Sequence, residues 1–115
     1  MQFVNLGDCE KISDIGVEGL TRGCPSLRLL NLQRCTLVSD DSCRAIAQHC
    51  HLLKSLNLNR CLRRTDAGLE AIARGCKQLP SLNIGACHEV TPGGIAAIAS
   101  ECKGLQLLNM TGCDR

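Results

Sequence analysis

One interval recurs along the whole chain: residues of the same kind stand 26 positions apart. Five of the ten cysteines follow this interval from Cys9 to Cys113, and four more follow it from Cys24 to Cys102. A fixed period of about 20 to 50 residues is typical of repeat proteins, in which each unit buries its apolar side only against its neighbours. We therefore divide the 115 residues into the units 1–26, 27–52, 53–78, 79–104 and a partial unit 105–115.

The first half of each unit has the alternation of a short strand. Leu56 and Leu58 are separated by Asn57, and strand side chains point alternately to the two faces of a sheet. If the leucines face a core, the asparagine faces the opposite side. The other units repeat this arrangement with Val4/Leu6, Leu30/Leu32, Leu82/Ile84 and Leu108/Met110 around Asn5, Asn31, Asn83 and Asn109. The frame thus predicts a column of asparagines on one face of a sheet.

The second half of each unit predicts a helix, because its apolar residues recur at helical spacing. In the third and fourth units they are Leu69, Ile72, Ala73 and Cys76, and Ile95, Ile98, Ala99 and Cys102. Residues that favour helix N-caps precede the helices at Ser13, Ser39, Thr65 and Thr91. An aspartate follows the cap in three units and Pro92 in the fourth, and both residue types are favourable in a first turn.

The strand pattern L-x-x-L-x-L-x-x-C, which runs from Leu53 to Cys61, is the signature of leucine-rich repeats. The chain resembles more closely the cysteine-containing subfamily of these repeats, because of the turn Cys9-Glu10-Lys11-Ile12-Ser13-Asp14 and the second cysteine after each helix. The resemblance implies an α/β fold, a right-handed leucine-rich-repeat solenoid or horseshoe segment. About five parallel strands would line its concave side and four helices its convex side.

Both ends of the sequence fall inside the repeat pattern. The chain starts in a strand at Met1 and stops at Cys113 just after another strand, without polar capping segments. Solenoids need such caps because terminal units otherwise expose core and strand edge. We expect a fragment of a longer solenoid, whose open ends stack on further repeats or on another chain.

The composition argues against several classes of function. A net charge of +2 is too small for the basic footprint of a nucleic-acid binder, and one phenylalanine without tyrosine or tryptophan gives no stacking platform for bases. No apolar run approaches the roughly 20 residues of a membrane span, and the first residues do not form a signal peptide. We expect neither nucleic acid nor a membrane as a partner.

The cysteine columns behave as small buried apolar residues. On that basis we expect ten reduced thiols and a cytoplasmic or nuclear location, because disulfides persist mainly in oxidising compartments. Strands stacked about 4.8 Å apart would also bring neighbouring column cysteines within bridging range, so a disulfide-linked form stays open.

Candidate catalytic and metal groups are few. Cys50 beside His49 and His51, and Cys87 beside His88, place a thiol next to an imidazole, but buried column thiols are inert. The sequence has no C-x-x-C pair of the kind that structural zinc sites use. We therefore expect no catalytic residues, no metal, no cofactor and no enzyme activity.

The asparagine column has two interpretations. It is either a binding ladder on the concave face, or a structural column in which each asparagine bonds its neighbour in the stack. Asparagine is present in every unit and so cannot encode a specific partner, which favours the structural interpretation. Specificity is expected where the units differ.

The units differ most beside the asparagines and in the turn that follows. Arg34 and Arg60 occupy equivalent positions in adjacent units and should lie side by side, where paired guanidiniums bind a carboxylate or phosphate. They form a predicted basic group with Arg28, Lys54, Arg63 and Arg64, for which a merely solvated edge is the alternative. The candidate partner-binding residues, on the concave face and its basic edge, are Leu29, Asn31, Gln33, Arg34, Ser55, Asn57, Asn59, Arg60, Arg63, Arg64 and Asn83.

These expectations combine into a non-catalytic protein–protein interaction module whose partner carries an acidic or phosphorylated segment. Cysteine-containing repeats resemble the substrate-recognition part of F-box ubiquitin ligase receptors, in which a separate F-box segment binds the ligase adaptor. The sequence itself has no set of F-box helices. The alternative is a structural scaffold subunit of a cytoskeletal or ciliary assembly, located in the cytoskeleton or cilium.

Overall fold

Short strands and helices alternate along the chain. The computed structural model describes residues 2–61, 63, 65–87 and 89–112, so Met1, Arg64, His88 and Cys113 of the sequence-based predictions lie outside the described residues. The strands are β1 (Phe3–Asn5), β2 (Leu29–Asn31), β3 (Ser55–Asn57), β4 (Ser81–Asn83) and β5 (Leu107–Asn109). The helices are α1 (Asp14–Gly23), α2 (Asp40–His49), α3 (Asp66–Gly75) and α4 (Pro92–Glu101).

The five strands form one parallel sheet in the order β1-β2-β3-β4-β5. Leu30 pairs with Leu56, and Leu56 with Leu82, so paired residues stand 26 positions apart in the sequence. The helices pack in the same order, α1 on α2, α2 on α3 and α3 on α4. The predicted solenoid of about five parallel strands and four helices is confirmed.

The core lies between the sheet and the helices. The inward leucines of β2, β3 and β4 and the leucine that precedes each of these strands are buried, as predicted. Met110 differs, since its side chain is 48% exposed although the frame placed it in the core. The reason is that β5 pairs with β4 on one side only among the described residues.

The helix stripe is confirmed in α3, where Leu69, Ile72 and Ala73 are fully buried. Ala99 occupies the same position of α4 as Ala73 does in α3, and its predicted burial is wrong because its side chain is exposed. The neighbours explain this difference, since α3 packs between α2 and α4 whereas α4 packs only on α3 within the described part of the chain.

The predicted N-caps begin the helices. The side chains of Ser39, Thr65 and Thr91 each accept a hydrogen bond from the backbone N–H two residues later. Ser13 occupies the same position without a side-chain bond, and Pro92 is the first residue of α4, as expected. These caps satisfy N–H groups that the first helical turn leaves without an internal partner.

The aspartates after the caps accept hydrogen bonds from the next repeat unit, which the sequence did not predict. Asp40 accepts hydrogen bonds from the backbone N–H of Thr65 at 2.8 Å and from its hydroxyl at 2.6 Å, and Asp66 bonds Thr91 in the same way. Asp14 accepts from the backbone N–H and hydroxyl groups of both Ser39 and Ser42. Each carboxylate therefore joins the start of its own helix to the cap of the next unit.

The cysteines also connect neighbouring units. The Cys35 thiol donates to the carbonyl oxygen of Leu6 at 3.1 Å, and the Cys61 thiol to that of Leu32 at 2.9 Å. In the second column the Cys76 thiol donates to the carbonyl oxygen of Cys50 at 3.4 Å. A thiol is a small apolar group with a weak S–H donor, so it suits a buried column and adds a second hydrogen bond to carbonyl oxygens such as Leu6 O and Leu32 O, which already accept a backbone N–H.

Candidate binding surface

The face of the sheet opposite the helices carries the predicted concave residues. Leu29 and Asn31 of β2, Ser55 and Asn57 of β3, and Asn83 of β4 are all half-buried, on either side of a buried leucine. The register aligns Leu29 with Ser55, and Asn57 with both Asn31 and Asn83. The structure therefore brings these five predicted residues together on one surface.

The asparagine side chains shape the turn after each strand. The Oδ1 atoms of Asn31, Asn57 and Asn83 each accept the backbone N–H of the residue two positions later at 2.9 Å. This bond lies within one unit and is the Asx turn that asparagine commonly forms. The structural interpretation is thus favoured, but the bond lies within one unit and does not join stacked asparagines as expected. Across units, Asn57 Nδ2 donates to Gln33 Oε1 at 3.3 Å.

The turn then passes through a left-handed residue. Asp8, Arg34, Arg60 and Ala86, which occupy one position of the frame, have φ values of 64°, 60°, 61° and 58°. Residues with a Cβ avoid this conformation unless the surrounding structure holds it. Here the backbone N–H of Arg34 donates to Asn59 O at 2.8 Å and that of Arg60 to Gly85 O at 2.9 Å. The shared backbone geometry gives the two arginines adjacent, equivalent positions, as predicted.

A groove of ≈ 270 Å³ crosses the strand-end edge at these turns. We call it the edge groove, and its lining residues are Asp8, Glu10, Arg34, Thr36 and Arg60. Arg34 Nη1 lies 3.5 Å from Asp8 Oδ1, with both side chains more than half exposed. Such a pair contributes only about 0–1 kcal/mol. Arg60 forms no ion pair with any residue that the structure describes.

The structure divides the predicted basic group. Arg28 and Lys54 precede β2 and β3, whereas Arg34 and Arg60 follow these strands, so the two pairs lie at opposite edges of the sheet. Arg63 is exposed but does not line the edge groove.

The remaining predicted residues complete the strand-end edge. Gln33 and Asn59 follow β2 and β3 and are half-buried. The backbone of Arg63 forms a parallel bridge with Ser39, next to the helix cap and beyond the turn that carries Arg60. Arg64 lies outside the described residues.

Three residues of the edge groove were missed from the sequence, namely Asp8, Glu10 and Thr36. The signal was present in the repeat itself. Asp8 stands 26 positions before Arg34, and Glu10 stands 26 positions before Thr36. A comparison of the first unit with the second at these positions would have placed an acidic end beside the two arginines.

The contacts of Cys50 and His51, one of the predicted thiol–imidazole pairs, stabilise the fold and do not activate the thiol. The ring nitrogens of His51 lie 2.9 Å from Gly75 O and 3.0 Å from Gln48 O, so the imidazole contacts helix-end carbonyl groups. Burial raises the pKa of the Cys50 thiol to about 11, which disfavours the thiolate that a nucleophile needs. Within residues 2–61, 63, 65–87 and 89–112, no cluster of three or more histidine, cysteine or acidic residues suits a metal ion.

The helices of the described chain are too short and too polar to cross a membrane. Each of the four has 10 residues, about half the length that a bilayer requires.

The fold and the open sheet face define a leucine-rich-repeat solenoid. A family model described as a leucine-rich repeat matches residues 23–47, which contain β2, the strand-end turn with Arg34, and most of α2. A comparison with curated proteins gave no match. Leucine-rich repeats are typically non-catalytic domains that bind other proteins, which agrees with a surface made of strand faces and turns.

Proposed function

We propose that this chain is a non-catalytic protein-recognition module that binds a segment of its partner across the open sheet face and the edge groove. The observation that carries this proposal is the uncovered face itself. Helices cover one side of the sheet, and the other presents half-buried residues in register from β2 to β4. Such a surface has a fixed shape and polar groups that remain available to a partner.

The partner's chemistry follows from the arginines. Arg60 has no ion-pair partner in the described structure, and Arg34 is held only by an exposed contact to Asp8. Guanidinium groups bind carboxylates and phosphates through charge-assisted hydrogen bonds. An acidic or phosphorylated segment is therefore the partner that we propose for this edge.

The role that we favour is substrate recognition within an F-box-type ubiquitin ligase receptor, acting in the cytoplasm or nucleus. It is supported by the cysteine columns and by the cap motif that follows each strand, which are the features of the cysteine-containing repeats. Burial of Cys50 and Cys76 fits thiols that stay reduced.

The second candidate is a scaffold subunit of a cytoskeletal or ciliary assembly. Exposed apolar residues on the outermost strands favour it, since Phe3 of β1 is 68% exposed and Leu107 of β5 is 63% exposed. Large exposed apolar side chains are suited to permanent contacts, including stacking on further repeats or on another chain.

Affinity purification from the native source separates these candidates. Enrichment of ligase components supports the receptor, and enrichment of cytoskeletal or ciliary proteins supports the scaffold. The double variant Arg34→Asp/Arg60→Asp is expected to lose the partner in either case, whereas Arg74→Asp on the exposed side of α3 is expected to retain it. Equal capture by both variants would contradict the proposed site.

A further inference from the structure

The charges of the edge groove are ordered along its length. Asp8 and Glu10 form the end that belongs to the first unit, and both are exposed. Arg34 follows in the second unit and Arg60 in the third, also exposed. The groove therefore has an acidic end and a basic end rather than one uniform charge.

This order changes which ligand fits the groove. Arg34 already contacts Asp8, whose Oδ1 atom lies 3.5 Å from its Nη1 atom. An anion bound at Arg34 would therefore stand near a second negative charge, which repels a carboxylate and a phosphate alike. Arg60 stands one unit further from Asp8 and has no acid paired with it in the described residues, so it is the better position for an anion.

A cation at the other end of the ligand removes this repulsion. Next to Asp8 and Glu10, a lysine or arginine side chain of the partner would gain an ion pair while its acidic group contacts Arg60. The distance between the two ends follows from the sheet, because two strand spacings amount to roughly 10 Å. In an extended peptide, neighbouring side chains on one face stand two residues and about 7 Å apart, and long side chains such as lysine and glutamate can span the remaining distance.

We propose that the edge groove selects an extended segment of the partner protein with one basic and one acidic side chain two residues apart, on the same face of the segment. The basic side chain pairs with Asp8 and Glu10, and the acidic side chain binds Arg60. Thr36 also lines the groove, and its hydroxyl forms no hydrogen bond in the described structure. This inference rests on the proposed protein-binding function, and it narrows the partner at this edge from any acidic or phosphorylated segment to one that also carries a basic side chain.

The test is an NMR titration of the isotope-labelled chain with synthetic peptides of equal length in Gly-Ser flanks. Their central residues are Lys-Ser-Glu, Glu-Ser-Glu, Lys-Ser-Lys and phosphoserine-Ser-Glu. The mixed-charge peptide is expected to shift the backbone amide signals of the groove residues Asp8, Glu10, Arg34, Thr36 and Arg60. It should bind about two- to fivefold tighter than the other three peptides, as one additional exposed ion pair would give. Equal or tighter binding of a doubly acidic or phosphorylated peptide would overturn the inference, as would no shift at these amides.

Two variants test the order of the charges, and each introduces a residue that already occupies the equivalent turn position in another repeat unit. Asp8→Arg places the residue of the second and third units in the first, and Arg60→Asp places that of the first unit in the third. Asp8→Arg is expected to change the preference to Glu-Ser-Glu, and Arg60→Asp to Lys-Ser-Lys. Glu101→Lys, on an exposed residue at the end of α4, is the control and should keep the preference for the mixed peptide. An unchanged preference in both groove variants would contradict the proposal.

The peptide titration and the partner-capture experiment can fail independently of each other. If the partner from the native source still requires Arg34 and Arg60 but the peptides show no mixed-charge preference, this inference fails and the protein-binding function stands. If partner capture does not depend on these arginines, the proposed binding site fails as well.

Discussion

Asp14 shows how one side chain joins two units of the solenoid. Burial raises the pKa of its carboxyl group, but the hydroxyl and backbone hydrogen bonds from Ser39 and Ser42 outweigh that effect, so the pKa lies below its ordinary value of 3.8. A carboxyl group whose pKa is lower in the folded state stabilises the fold while it is ionised. This contribution is present above the ordinary pKa and is lost as the pH falls through the lower folded pKa.

The replacement Asp14→Asn tests this linkage. Near neutral pH it is expected to lower the free energy of unfolding by about 1–3 kcal/mol, because hydrogen bonds to an ionised group are lost. The difference between the two proteins should stay constant from about pH 6 down to the ordinary pKa of 3.8 and shrink as the pH is lowered further through the lower pKa of the folded state, where the carboxyl group becomes protonated. Urea unfolding at several pH values measures it, and a difference that does not shrink below the ordinary pKa would contradict the assignment.

Gly75 marks a close approach between two helices. A Cβ atom at this position would lie 2.5 Å from the Cβ and 2.6 Å from the Cα of Ala47 in α2. Gly75→Ala is therefore expected to destabilise the protein by about 1–3 kcal/mol through overpacking. Gly23 occupies the same position in α1 and has nothing within 4 Å, so Gly23→Ala should change stability by no more than about 1 kcal/mol, and in the stabilising direction. Equal effects in denaturant unfolding would argue against this helix contact.

For single residues, the sequence predicted correctly those roles that are set by contacts within one repeat unit. Leu58 in the core and Thr65 at the helix cap follow from strand alternation and cap preference. The hydrogen bonds of Asp14 to the next unit and the close contact of Gly75 with the previous unit depend on the distance between neighbouring units. The repeat pattern of the sequence does not give that distance.

Among the structural elements, the turn after each strand fixes the geometry of the candidate surface. The asparagine at the end of the strand starts the turn, and the left-handed residue that follows continues the backbone ladder to the next unit. The strands, helices and the adjacency of Arg34 and Arg60 could be predicted because the frame has no insertions. The separation of Arg28 from Arg34 also follows from the frame, because the predicted strand at Leu30 and Leu32 lies between them, and grouping the two arginines did not take this strand into account.

Asn57→Ala distinguishes the two interpretations of the asparagine column. The replacement removes the hydrogen bond from the Asn59 N–H to Oδ1 and is expected to cost about 1–2 kcal/mol of unfolding free energy. Ser55→Ala is the control, because Ser55 lies half-buried on the same face and its hydroxyl makes no hydrogen bond in the described structure. If Asn57→Ala left stability unchanged and only weakened partner binding, the binding-ladder interpretation would be correct.

For the whole molecule, the cysteine columns determine how the fold responds to thiol reagents. Burial raises the pKa of Cys76 to about 12 and that of Cys50 to about 11, whereas Cys9 and Cys24 are partly exposed. At about pH 8 the native chain should therefore react first at Cys9 and Cys24, and the unfolded chain should react at all ten thiols. Mass spectrometry after alkylation measures both states. Far fewer than ten reactive thiols after unfolding without a reductant would show disulfides and contradict the reduced form.

The central claim is that the molecule recognises a protein partner through the open sheet face and its strand-end edge. Site-specific photo-crosslinking in the native source tests it most directly, with the crosslinker at Ser55 on the sheet face or at Arg74 on the exposed side of α3. We expect a partner to crosslink from position 55 and not from position 74, and to be lost with Arg34→Asp/Arg60→Asp. Crosslinking from position 74 alone, unaffected by the charge reversals, would contradict the account.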